Sequence, residues 1–260
     1  SGYRDNSATQ RKQFNGKLSF GPDEKTQVNV VFNQFDMPLA QDAAGLTATQ
    51  LVANPQQAGT STVATRTRKI VLQNQLGSTL THQLDNDSAI TARAYYGTRD
   101  NTQYQSGNTW IGLNRAYYGV GLQYSAQTQW GSTPVRWSTG YEFDRSREYR
   151  QGGAAALGEK TTTTRREDNQ AENSDLYLQS TFLASERVSY TLGARNSTVR
   201  FVSDDYYITP PNADGSGNVT GSGGFTTSGN IVQTAGTMVI NDLVQAVQGF
   251  SATLSTSTTI

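Results

Sequence analysis

Residues 17 to 35, KLSFGPDEKTQVNVVFNQF, alternate polar and apolar positions up to Phe20, break at Gly21-Pro22-Asp23-Glu24, and resume the alternation through Val28, Val30 and Phe32. A period of two on both sides of a tight turn predicts a β-hairpin. Three further pairs of long alternating runs follow. Their turns are Asp85-Asn86-Asp87-Ser88, Trp130-Gly131-Ser132-Thr133 and Ala184-Ser185-Glu186. The stretches between hairpins read as longer connections: about Met37 to Thr65, Ser106 to Asn114, Gln151 to Ala171, and everything after Tyr207. Short turns and long connections are thus expected to alternate, with no helix competing before residue 240. Sorting of this kind is expected of a membrane barrel, whose turns are short on one side of the membrane and long on the other.

Successive side chains of a strand point to opposite faces, so each run divides into two sets. One set holds Phe14, Leu18, Phe20, Val28, Val30, Phe32, Leu72, Leu76, Leu80, Ala92, Tyr96, Val120, Leu122 and Tyr141. The other holds Gln13, Asn15, Lys17, Asn29, Asn33, Arg93, Arg99, Gln123, Glu142 and Asp144. One face of the sheet is therefore apolar and the other polar and charged. Such a sheet either packs its apolar face over a soluble core, as a β-sandwich binding module does, or turns it outward into lipid around a polar lumen.

Strand length favours lipid. The runs extend over roughly 13 to 18 residues, against about 5 to 6 in globular proteins and about 9 to 11 needed to cross a bilayer at a tilt. Rings gather at both ends, Phe20, Trp130 and Trp137 toward the short turns, Phe35, Trp110, Tyr117, Tyr118, Tyr149, Tyr206 and Tyr207 toward the long connections. Belts of aromatic residues at two levels match the two membrane interfaces.

Composition removes other classes. Lys plus Arg and Asp plus Glu both number 21, so there is no basic excess to neutralise nucleic-acid phosphates. Cysteine is absent and His82 is the only histidine. A thiolate nucleophile, a disulfide framework and a histidine-rich metal centre are all excluded, and no cofactor is implied. Glu142 with Asp144, and Asp204 with Asp205, neighbour arginines in the manner of a charge ladder and not of an acid-base pair. Gly119-Val120-Gly121 lies inside a strand with no helix after it, which reads as close strand packing beside rings and not as a phosphate loop. No apolar run is long enough for a membrane-spanning helix.

The phrases SGYRDNSATQRKQFNGKLSF, DNDSAITARAYYGTRDN, AYYGVGLQYS and ENSDLYLQSTF with RVSYTLGARNSTVRF resemble the β-barrel of TonB-dependent outer-membrane receptors of the siderophore type. The resemblance covers roughly residues 1 to 210 and implies an internal barrel segment. The expected fold is all-β, an antiparallel up-and-down meander forming a partial transmembrane barrel of about eight to ten strands with long extracellular loops. The implied function is TonB-dependent uptake of a ferric siderophore or similar metal chelate through a barrel set in outer-membrane lipid. TonB would act only through a plug domain, of which no sequence phrase is visible, and the segment is expected to be inactive alone. A small closed outer-membrane barrel of structural or adhesive type remains the alternative beside the sandwich.

Aromatic and arginine side chains near the long connections suit planar anionic chelates, by stacking and by paired hydrogen bonds. The candidates are Tyr104, Trp110, Arg150, Arg165 and Arg166. Residues 211 to 260 form a separate Gly-, Ser- and Thr-rich tail that carries no phrase of the family. Within it Ile231 to Ile240 could form a strand, and the following NDLVQAVQGF a short helix.

Overall fold

The computed structural model describes residues 2–185, 188–206, 231–234, 237–240 and 253–258. Eight long strands make its body: β1 (Thr9–Asp23), β2 (Thr26–Gln41), β3 (Arg68–Gln83), β4 (Ser88–Gln105), β5 (Thr109–Trp130), β6 (Thr133–Ala156), β8 (Arg165–Leu183) and β9 (Val188–Asp205), with a two-residue β7 (Glu159–Lys160) beside the end of β6. Each long strand pairs antiparallel with the next in sequence, so the sheet is the expected meander. The turns of two to four residues after β1, β3, β4, β5 and β8 leave no room for a crossover.

A ninth strand, β12 (Thr253–Thr258), lies antiparallel along the first third of β9, from Val188 to Gly193. The expected strand over 231–240 is instead a hairpin of its own, β10 (Ile231–Thr234) with β11 (Thr237–Ile240). The expected helix at 241–250 lies outside the described residues. No pairing joins β1 to β9 or β12 among the described residues, so the sheet is open and not a small closed barrel.

The registers place Val28, Leu80, Ala92, Leu122, Tyr141 and Leu176 in one continuous row on the apolar face. The side chains of that face remain in contact with the surroundings: Leu18, Leu122 and Leu176 each keep more than half of their surface. Such exposure is that of a surface turned outward and not of a sandwich core. The ring belt is seen at the turn end of this face, where Trp130 packs on Phe182 at 5.9 Å and Tyr124 meets Trp137 edge-on at 5.2 Å. Toward the other end Tyr118 packs on Phe143 at 6.3 Å. Phe35 and Tyr117, expected in the belt, fall on the polar face, because Phe35 shares a row with Gln13 and Gln73, and Tyr117 one with Gly97 and Ser146.

Two expectations about the connections are corrected. The strands run 15 to 24 residues, longer than the alternation alone indicated, and they absorb much of what looked like loop. The connection between β4 and β5 shrinks to residues 106–108, with Asn108 in the left-handed region at φ 56°, so short and long connections do not alternate strictly. The β2–β3 connection, residues 42–67, contains two short helices, α1 (Ala48–Ala53) and α2 (Thr60–Ala64). Thr47 and Gln50 close a reciprocal capping box at the start of α1, a local signal that the strand pattern around it obscured. The segment before β1 holds this loop: Arg4 donates to the carbonyls of Gln57, Ala44 and Ala43, and Asn6 to those of Asp42, Thr62 and Thr67.

Candidate functional site

The polar face is organised in rows, each row being the residues that the register sets opposite one another. Nearest the turns, Ser19 donates to Asn29 at 2.7 Å, and Arg93, Glu142 and Asp175 follow along the same row. Gly121 stands between Arg93 and Glu142 and has no side chain, so the guanidinium of Arg93 passes over it to reach Glu142 Oε1 at 3.0 Å. Arg195 is paired with the fully buried Asp175 and lies 3.9 Å from Glu142. Two positive and two negative groups thus form a neutral quartet across β4, β6, β8 and β9. Other bare positions are covered the same way, Gly97 by the ring of Tyr117, Gly119 by Tyr95 and Asp144, Gly140 by Tyr177. Tyrosine side chains reaching over strand glycines cover the ladder where the strand lacks a side chain.

Toward the loop end the pairing is incomplete. One row reads Gln13, Phe35, Gln73, Arg99, Arg115, Glu148. Arg115 is engaged with Glu148, whereas Arg99, directly opposite Arg115, has neither ion pair nor hydrogen bond among the described residues. Like charges set opposite across a ladder repel. The next row outward holds Asn101, Leu113, Arg150 and Glu167. Glu167 is taken by Arg165, leaving Arg150 without a carboxylate, and the Nε of Arg150 and the Oδ1 of Asn101 are buried with no hydrogen-bond partner. With strands about 4.8 Å apart and one row of about 6.7 Å between them, Arg99 on β4 and Arg150 on β6 stand about 12 Å apart. They flank β5 as two uncommitted cations.

The five residues expected at a site divide. Arg150 and Arg165 lie on the polar face near its loop end. Arg166 does not accompany Arg165, because the stretch read as a loop is the start of β8 and adjacent strand residues point oppositely. On the other face its guanidinium stands 5.8 Å from the Tyr149 ring and 5.6 Å from that of Tyr206. Tyr104 and Trp110 are opposite one another on that same outer parity and are 6% and 3% exposed. Arg68 stacks on Tyr104 at 4.1 Å and Lys160 on Trp110 at 4.2 Å, and the indole N–H donates to the Thr162 carbonyl at 3.2 Å. Residues 157–164 fold over these rings and make a small packed cluster with Ala155. Arg99 and Arg115, absent from the expected set, lie closest to the incomplete rows. Their signal was present in the sequence, since both fall on the polar parity of their strands, but nothing local to either shows which residue stands opposite it.

No family model matches the chain. Solved structures do. The ferric citrate transporter FecA in its unliganded form superposes with a TM-score of 0.66 at 19% identity, over 78% of this chain and 31% of that one. The fold is that of an outer-membrane receptor barrel. The ferric-catecholate import receptor Fiu of E. coli K12, closed form, matches with a TM-score of 0.62 at 10% identity, over 98% of this chain and 40% of its own. The siderophore receptor PiuA of Acinetobacter baumannii matches with a TM-score of 0.61 at 14% identity, over 81% and 38%. These neighbours are receptors and transporters, not enzymes, and the chain spans about a third of their length. In a receptor barrel the apolar face meets lipid and the polar face lines the lumen. The rows described above correspond to the lumen side of that fold.

Proposed function

We propose that this chain is part of the wall of an outer-membrane receptor that takes up an anionic metal chelate of the ferric-siderophore kind, driven by TonB through a plug held in the lumen. The observation that carries the reading is the pair Arg99 and Arg150, two cations without a carboxylate near the loop end of the polar face, whereas nearer the turns Arg93, Arg195, Glu142 and Asp175 neutralise one another. A guanidinium left without a carboxylate on a water-lined wall attracts an incoming anion and can bind its oxygens in pairs. Neighbours of the same fold include the ferric citrate transporter FecA and the ferric-catecholate import receptor Fiu, which supports the cargo class. The sheet alone, with two open edges, is inactive in this reading.

The test uses the full-length reading frame that contains this segment, in receptor-deficient cells, with radioactive iron presented as several chelates. Accumulation is expected for at least one anionic chelate, abolished in a TonB-deficient background. The double change Arg99→Ala with Arg150→Ala should raise the half-saturating concentration about tenfold or more, the loss of charge-assisted hydrogen bonds. Equal accumulation with and without TonB would overturn the proposal.

A further inference from the structure

Beside Arg99, over β1 to β4, the lumen wall carries a depression of about 430 Å³. Six carboxamide residues line it, and five of them stand on the polar parity, the sixth, Gln34, being on the opposite one. Gln13 and Gln73 share the row of Arg99, while Asn15, Asn33 and Gln75 stand opposite one another in the row below. None of the five makes a side-chain hydrogen bond among the described residues, in contrast to the wall nearer the turns. There Ser19 is bonded to Asn29, Thr81 to Thr91 and Thr181 to Thr191. Gly97 ends the lower row without adding a side chain, and Tyr117 covers it. The depression therefore offers five amide groups, each with two N–H donors and a carbonyl acceptor, and one guanidinium at its margin. It contains no carboxylate. Phe35 is the one ring lining it among the described residues.

We infer that this depression is a binding subsite for an oxygen-rich, non-aromatic, anionic chelate of the hydroxycarboxylate class. The inference rests on the uptake reading above and names its cargo class. Carboxylate oxygens accept from the amide N–H groups and from Arg99, and the hydroxyl groups of such a ligand donate to the amide carbonyls. A tris-catecholate presents three ring edges and calls for stacking partners, which a floor of carboxamides does not provide. Neutral amides also hold such a ligand without a large Coulomb well, so that it can leave again.

The experiment measures radioactive iron uptake by receptor-deficient cells expressing the full-length reading frame, with three probes: ferric citrate, a neutral ferric trihydroxamate and a ferric tris-catecholate. Ferric citrate is expected to be accumulated best. Arg99→Gln, and separately the pair Gln73→Leu with Gln75→Leu, should each raise the half-saturating citrate concentration about tenfold while maximal uptake and the amount of receptor in the outer membrane stay unchanged. Preference for the catecholate, or citrate uptake indifferent to both variants, overturns the assignment of class and leaves the uptake reading standing. Equal loss for all three probes overturns the assignment too, because a surface that only seats a plug would act on every cargo alike. If none of the probes accumulates in any TonB-dependent way, the uptake reading falls and this inference with it.

Discussion

Gly121 and Gly140 are both bare positions on the lumen wall, yet a methyl group placed on each meets different neighbours. At Gly121 the new Cβ would come within 2.7 to 3.3 Å of the Arg93 side chain alone, the far part of a flexible chain that can swing aside. At Gly140 it would stand 2.7 Å from the carbonyl oxygen of Leu122, on the backbone of the neighbouring strand, and 2.6 Å from the Tyr177 hydroxyl. Backbone cannot give way without disturbing the ladder. Gly140→Ala should therefore destabilise the lipid-folded protein by about 1 to 3 kcal/mol, as overpacking does. Gly121→Ala should cost less than about 1 kcal/mol, the worth of a half-exposed ion pair, and mainly release Arg93 from Glu142. Urea titrations of the two variants in vesicles check the order, and the reverse order would show that the strands are looser than the registers indicate. At the turns the chemistry is different. Asp23 is held below the usual carboxylate value by the Thr26 hydroxyl, donating at 3.0 Å, and by the Lys25 amide at 2.8 Å. Thr26 has one hydroxyl proton, so the 2.8 Å contact with His82 is a bond donated by its Nδ1. A lowered folded-state pKa gives stability that is present above the unfolded value of 3.8 and lost as pH falls through the lower folded value. The protection factor of the Lys25 amide, measured by hydrogen exchange, should accordingly hold at about pH 5 and fall only below the usual carboxylate range.

A strand of this sheet is specified by one thing above all, the face it shows to lipid. Val120 lies in the apolar row of Ala94 and Phe143, near the middle of the band that Tyr118 and Tyr124 bound on the same strand. Val120→Arg should hinder insertion into vesicles by about 2 to 4 kcal/mol, the cost of a guanidinium at mid-membrane. Glu142, one position from Tyr141 but on the wall, should accept Gln with no loss of insertion. Folding yields followed by gel shift separate the two, and an unimpaired Val120→Arg variant would place that residue at an interface or in the lumen. This face rule is why the strands were legible in the sequence, since alternation over many residues leaves one register that buries nothing charged in lipid. The connections were not legible, because β5 and β6 continue as a ladder beyond the band, where both faces meet water and alternation no longer marks a strand. The same loss of signal misplaced the candidate site. Arg165 and Arg166 looked like loop neighbours and are divided between faces, Tyr104 and Trp110 looked open and are roofed by residues 157–164, and Arg99 looked like one more polar strand position. Whether a cation is neutralised depends on which residue stands opposite it, and that is a property of register, not of local sequence.

At the scale of the whole sheet, the edges decide what the chain can do alone. β1 has a partner on one side only, and β9 is paired with β12 merely from Val188 to Gly193, leaving Ala194 to Asp205 without a second ladder partner among the described residues. Lipid has no groups to satisfy the free N–H and C=O of such edges, and each group left bare within the hydrocarbon costs several kcal/mol. Eight or nine strands with the lumen wall described here also cannot enclose the cargo proposed, because a barrel of about eight strands fills its interior with side chains, and room for a plug comes with about 22. The quartet of Arg93, Glu142, Asp175 and Arg195 and the glycines covered by neighbouring tyrosines suit a wide wall, where side chains reach along the surface instead of meeting at a centre. Residues 1–260 expressed behind a secretion signal in receptor-deficient cells should therefore give no chelate uptake above empty vector. In detergent the chain should associate through its open edges into species larger than one copy. Sedimentation together with iron accumulation reads both: a monomer that takes up a ferric chelate in a TonB-dependent way would mean that the edges close on each other and that a lumen forms from this chain alone.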